Sequence, residues 1–243
     1  MTGIGKILIL PALLIAGILP VFAQDSANDS KFSIASSAIH FPNSYEVSRL
    51  KFSVGFSMVR PPKDMLETAV QAPLVNFYVV YSLPWHLSVE GELTTILVSN
   101  QLRLGPAISF TSGNIGFRTG YNIAYVVGFL NQFGFDNSTR AWINYPNVSL
   151  GCTLNKIAFT LKAESVIVSS ISTSSGDNEL TYNRNFFNGF TGGLYIEQRL
   201  HKNRIFVIGL KNSYVKYYWP TWMAFSTFNR FYNIPELYFS WIL

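Results

Sequence analysis

From Leu50 to the C-terminus, apolar and polar residues alternate with a period of two in segment after segment, the spacing that sends successive side chains to opposite faces of a β-strand. Leu50, Phe52, Val54, Phe56 and Met58 alternate with Lys51, Ser53, Gly55 and Ser57. Val75, Phe77, Val79 and Tyr81 alternate with Asn76, Tyr78, Val80 and Ser82, and Leu87, Val89 and Leu93 with Ser88, Glu90, Glu92 and Thr94. The same rhythm returns around Leu102–Ser109, Ile115–Ile123, Ile157–Glu164, Phe190–Glu197, Phe206–Ser213 and Glu236–Leu243, and around Trp142–Cys152, where Pro146 blurs it. The pattern predicts an all-β chain of about ten strands, many of the roughly 9–11 residues that a tilted membrane strand takes. Boundaries read from one sequence slip by several residues, so eight or twelve strands also fit.

The gaps between these segments fall into two alternating kinds, except near Ser99-Asn100, where the gap is shorter than its place predicts. Short ones lie at Leu83–Trp85, Ser112–Asn114, Leu154–Lys156 and His201–Asn203, and long ones at Arg60–Gln71, Gly128–Arg140, Ser169–Asn185 and Trp219–Asn233. Membrane barrels join their strands by tight turns on the periplasmic side and by longer loops outside. The alternation therefore predicts an antiparallel up-and-down transmembrane β-barrel, with both termini on the side of the tight turns.

A soluble barrel alternates in the same way, with inside and outside exchanged. The make-up of the polar face separates the two. A surface facing water is rich in Lys, Glu and Asp, whereas here the polar positions are mostly Gly, Ser, Thr, Ala and Asn, which suit a narrow lumen. Composition agrees: 13% of residues are charged, 49% hydrophobic and 16% aromatic, an apolar balance for a chain with no long apolar run after its first residues. The net charge of +5 is scattered rather than gathered into a run of Lys or Arg, which argues against nucleic acid as a partner.

The N-terminus reads as an export signal. Lys6 precedes an apolar run from Ile7 to Phe22 that is interrupted by Pro11, Gly17 and Pro20, and Val21-Phe22-Ala23 presents the small-residue pattern that signal peptidase accepts. That run is roughly 16 residues, short of the ~20 a transmembrane helix needs. The expected organisation is a cleaved signal peptide at 1–23, a polar periplasmic N-terminal tail at 24–45 and the barrel at 46–243. Within the tail, Phe32–Phe41 is the stretch able to add a strand or to enter the lumen. The single cysteine, Cys152, cannot close a disulfide within the chain.

The leader, the strand and loop alternation through Arg49–Leu243, and the ending Leu237-Tyr238-Phe239-Ser240-Trp241-Ile242-Leu243 together resemble the small outer-membrane β-barrel proteins of Gram-negative-type bacteria. The resemblance implies an outer-membrane location, contact with outer-membrane lipid, and insertion by the barrel assembly machinery. In such proteins the machinery reads a last strand of alternating apolar and aromatic residues; this chain ends in Leu rather than the commoner Phe. The resemblance is to an architecture, and it brings no catalytic residue with it.

With the polar face turned inward, Lys51, Arg103, Arg118, Lys162 and Lys211 share the lumen with Glu90, Glu92, Glu164, Glu197 and Glu236. Charges in a narrow, partly dry interior are costly unless paired. A balanced set in a ten-strand barrel, too narrow for the water-filled channel of 16–18-stranded porins, predicts a filled lumen. The alternative is a narrow selective pore lined by the same charges. Trp219, Trp222, Phe225, Phe228 and Phe231 recur every third residue in the last long gap, as an aromatic belt at headgroup level or as an exposed surface for a glycan, protein or lipid.

Candidate catalytic groups are sparse. His86-Leu87-Ser88 has the His-x-Ser spacing of the lipid A deacylases, on one face of a strand, but the tight turn before it places it on the periplasmic side. His40 and His201 have no partner at ligand spacing, so neither a zinc site nor any other cofactor is expected. The function this predicts is a non-enzymatic barrel, structural or surface-binding through its extracellular loops, with a narrow transporter next and a lipid-modifying enzyme a distant third.

Overall fold

A computed structural model describes residues 33–43, 49–62, 72–96, 98–132, 135–176, 178–200, 204–224 and 230–243. The signal peptide expected at 1–23, His201, Phe225 and Phe228 lie outside the described residues. Ten antiparallel strands close into a barrel in sequence order, β10 pairing with β1. They are β1 (Leu50–Val59), β2 (Ala72–Ser82), β3 (Leu87–Ile96), β4 (Ser99–Ser112), β5 (Ile115–Gln132), β6 (Phe135–Leu154), β7 (Ile157–Ser175), β8 (Asn178–Arg199), β9 (Ile205–Val215) and β10 (Tyr232–Ile242). A short helix, α1 (Ile34–Ser37), precedes them, and a 3₁₀ turn at Trp219–Ala224 lies between β9 and β10.

The period-two alternation sorts inside from outside on every strand. On β1, Lys51, Ser53 and Ser57 are buried in the lumen while Leu50, Phe56 and Met58 are exposed outward. On β10, Glu236, Tyr238 and Ser240 point in and Trp241 points out. The outer surface is a continuous apolar band of Leu, Val, Ile, Phe and Tyr, inverted relative to a water-soluble barrel. Two of the strand prolines, Pro106 and Pro146, sit in mid-strand without a bonding conflict. The β4–β5 ladder passes over Pro106, and the β6–β7 ladder passes over Pro146, so each missing N–H falls where no partner is required.

Tight turns at Leu83–His86, Gly113–Asn114 and Asn155–Lys156 join strands at one end, called the near end, where β1 starts and β10 stops. The opposite, distal end differs from the sequence expectation. Gly128–Arg140 and Ser169–Asn185, read above as long loops, are strand almost throughout: β5 to β8 run 18, 20, 19 and 22 residues, against 10 for β1 and 11 for β9. Beyond the apolar band these four strands are held by ladder bonds and polar cross-strand pairs, such as Ser138 with Ser174 and Thr139 with Thr173. Without a lipid-facing row, alternation disappears although the strand continues.

Candidate functional site: a lumen closed at both ends

The near end of the lumen is filled by residues 34–43. Ala38, Ile39 and Phe41 have no exposed surface, so this part of the expected periplasmic tail lies inside the barrel. Glu197 on β8 is its main anchor. One carboxylate oxygen accepts the backbone N–H groups of Ile39 and His40 at 2.8 and 3.1 Å, and the other accepts that of Phe41 at 2.7 Å. Lys51 Nζ donates to Ala38 O at 2.6 Å, and Arg118 Nη2 to Phe41 O at 3.1 Å. Thr111 Oγ1 donates to Pro42 O at 3.2 Å. The barrel wall leaves space for the segment, since a Cβ built on Gly151 would lie 2.6 Å from the Phe41 ring. We call residues 34–43 the plug.

The His40 ring is held in an aromatic box. It stacks on Tyr195 at 4.3 Å and on Tyr78 at 5.1 Å, and meets the edge of Tyr238 at 5.7 Å. Burial, reinforced by the cations Lys162, Arg118 and Lys211, holds its pKa well below the usual value, and its Nε2 has no hydrogen-bond partner among the described residues. A released plug takes up a proton on His40 near pH 6.5, and the docked plug resists it. The contribution of His40 to docking is therefore independent of pH above about 6.5 and weakens below it, by up to about tenfold per unit. Labelling of an Ala38→Cys probe, with Cys152→Ser to remove the native thiol, should accelerate as pH falls from 8 to 5 when each rate is divided by that of the unfolded chain at the same pH, which cancels the falling thiolate fraction. A His40→Phe variant should show a shallower rise on the same scale; an equally steep one would reject the role given to His40.

Above the plug, eight of the ten lumen charges form a paired layer, Lys51 and Glu197 being the two that hold the plug. Arg118 meets Glu90 at 2.7 Å and Ser109 Oγ at 2.9 Å. Arg103 takes both oxygens of Glu164 at 2.9 and 3.1 Å, lies 3.6 Å from Glu92, and covers the Tyr145 ring at 3.8 Å. Lys162 also binds Glu164, at 2.9 Å, and Lys211 binds Glu236 at 3.0 Å. Charges this deep persist only when their neighbours replace water, and here they brace β3, β4, β5, β7, β9 and β10 across the lumen.

The distal end carries a second stopper. After β9 the chain turns inward, so that Tyr217, Tyr218, Trp219 and Trp222 are all buried against Val126, Ala141, Ile143 and Ile171. Asn188 holds this cap at its base, donating from Nδ2 to Tyr217 O at 2.7 Å and accepting Tyr217 N–H at 2.6 Å. Trp219 and Trp222 thus form neither a belt at headgroup level nor an exposed docking surface, because the core of the distal barrel is open enough to take both rings. Phe231 alone of the described series stacks outside, on Tyr214 at 4.9 Å. Between cap and plug remains a cavity of about 50 Å³, room for a little water and no larger solute.

The chain resembles outer-membrane β-barrels. Neisserial surface protein A matches at a TM-score of 0.36 and 8% identity, over 80% of this chain and 96% of its own. The translocator domain of autotransporter NalP from Neisseria meningitidis matches at 0.40 and 6%, over 79% and 86%. The attachment invasion locus protein Ail of Yersinia pestis matches at 0.29 and 12%, over 82% and 100%. No protein-family model matches the chain, and no curated protein matches it.

Of the catalytic candidates, His86 and Ser88 do not form a pair. His86 sits in the turn with φ 63° and packs against Phe110 on the outside, whereas Ser88 faces the lumen. Sequence reasoning left Phe32–Phe41 able to enter the lumen without showing its docking on Glu197, and missed Asn188 and Tyr145. The available signals were an inward Glu197 whose nearest obligations are backbone amides, and glycines facing bulky rings.

Proposed function

We propose that this protein is a non-enzymatic outer-membrane barrel, closed to solutes, whose work is done at the distal end by the projecting walls of β5–β8. The observation that carries this reading is the double closure of the lumen, by the plug at the near end and the Trp219–Trp222 cap at the distal end. An apolar outer surface meets lipid at little cost, and a closed barrel leaves no unpaired backbone in it. The four long strands then present a polar sheet beyond the membrane as a binding surface. A second reading, a gated narrow transporter, is favoured by one feature: the plug is held by hydrogen bonds and packing alone, and could leave.

Orientation and exposure are tested by single cysteines in a Cys152→Ser background. An Asn178→Cys variant, at the β7–β8 tip, should react with a membrane-impermeant maleimide on intact cells. A Ser112→Cys variant, at a near-end turn, should react only after lysis. The reverse pattern would turn the barrel over, and labelling of both on intact cells would remove it from the membrane.

A further inference from the structure

The outer face of β5–β8 carries an open depression of about 490 Å³. Its floor is β7, where small side chains replace large ones: Ser170 lies between Trp142 on β6 and Arg184 on β8, and one step farther out Ser172 lies between Arg140 and Tyr182. The walls are aromatic. Tyr125 and Trp142 pack at 4.7 Å, and the Arg184 guanidinium lies 4.7 Å over the Tyr182 ring. Trp142 and Tyr182 keep about half of their surface exposed, at 49% and 50%.

The two arginines differ from every cation of the lumen. Lys51, Arg103, Arg118, Lys162 and Lys211 each meet a carboxylate or a carbonyl, whereas neither Arg140 nor Arg184 has a carboxylate partner among the described residues. At its rim, Glu179 accepts a hydrogen bond from Ser172 at 2.9 Å. Two guanidiniums against one rim carboxylate leave the site cationic.

Its height above the near end suits a lipid headgroup. Tyr125 is the tenth residue after Ile115, where β5 begins; a rise of about 3.4 Å per residue and a tilt near 40° put it roughly 26 Å along the barrel axis. The apolar band of a membrane barrel is about 25 Å tall. Tyr125 and Trp142 thus reach the outer edge of the hydrocarbon, where such rings settle, and the guanidiniums of Arg140 and Arg184 stand in the headgroup layer. Guanidinium forks fit phosphate oxygens two at a time. Aromatic faces and serine hydroxyls suit a sugar ring.

We propose that this depression binds the phosphorylated sugar headgroup of a glycolipid in the surrounding leaflet, with Arg140 and Arg184 on the phosphate and Tyr125, Trp142 and Tyr182 against the sugar. The proposal rests on the membrane-spanning reading above. The test titrates refolded chain in detergent with bisphosphorylated lipid A, with the same lipid after phosphatase treatment, and with phosphatidylglycerol, reading bound lipid by native mass spectrometry. Bisphosphorylated lipid A should bind in preference to the other two. Replacing both arginines, R140A/R184A, should weaken it by roughly tenfold per arginine lost, with heat-modifiable gel migration unchanged. Binding that survives R140A/R184A, or equal binding of the phosphatase-treated lipid or of phosphatidylglycerol, would overturn it. Loss of heat-modifiable migration in the wild type would instead count against the barrel reading itself.

Discussion

Replacing Glu197 by Ala should release the plug from a barrel that stays closed as a sheet. The Glu197 carboxylate accepts three backbone N–H groups, of Ile39, His40 and Phe41, and is itself fully buried. Removing it strands those donors out of reach of water, at about 1–3 kcal/mol for each buried group left unpaired. A total of about 3–5 kcal/mol corresponds to a shift of at least a hundredfold in docking. The strands lose only one side chain, and the β8–β9 ladder through Glu197 and Val207 is unaffected. The measurement is the labelling rate of Ala38→Cys in the Cys152→Ser background, with heat-modifiable migration as the control for folding. Glu197→Gln should fall between, since one of its two terminal atoms no longer accepts. An unchanged rate in Glu197→Ala would mean that Phe41 packing, not the carboxylate, holds the plug.

The second large effect is expected at the cap. Trp222 keeps 3% of its surface, and the wall opposite it is Gly128, where a Cβ would lie 2.6 Å from Trp222 Nε1. With no side chain across the gap to collapse into it, Trp222→Ala leaves most of its volume empty. Aromatic-to-alanine changes at such sites cost about 3–5 kcal/mol. The urea midpoint of the refolded barrel in lipid vesicles should fall accordingly, with the slope unchanged. A loss below about 1 kcal/mol, the range for a surface change, would return Trp222 to an exposed loop. Asn188→Ala should act in the same direction, because it frees both hydrogen bonds at Tyr217.

What the sequence made legible follows from which forces act locally. A strand with lipid on one side and a narrow lumen on the other must alternate, so β1 to β4, β9 and β10 were readable residue by residue. The inward direction of Lys51, Glu90, Arg118 and the other lumen charges followed from the same parity. Where the membrane stops, the outer face no longer needs apolar side chains. The distal parts of β5–β8, with runs such as Asn137-Ser138-Thr139 and Ser172-Thr173-Ser174, therefore read as loops although they are strand.

The two stoppers were only partly legible, for a different reason: Phe32–Phe41 reads as able to enter the lumen, but nothing local says where it docks. Residues 34–43 carry no periodic pattern, and their course is set by contacts 156 to 158 positions away on β8. Trp219 and Trp222 sit in a spacing that suits a belt, an exposed patch or a core equally. Only the space left by Gly128 and the clamp at Asn188, both remote in sequence, sends them inward. A register defines where a strand goes, but what fills a barrel depends on the sum of its walls.

Closure of the lumen is tested most directly by single-channel recording of the refolded chain 24–243 in planar bilayers. The wild type should be silent, as should Glu197→Ala alone and W219A/W222A alone, because each leaves one stopper in place. Combining E197A with W219A/W222A should produce discrete steps. Steps from the folded wild type, or silence from a folded triple variant, would contradict a lumen shut by these two stoppers.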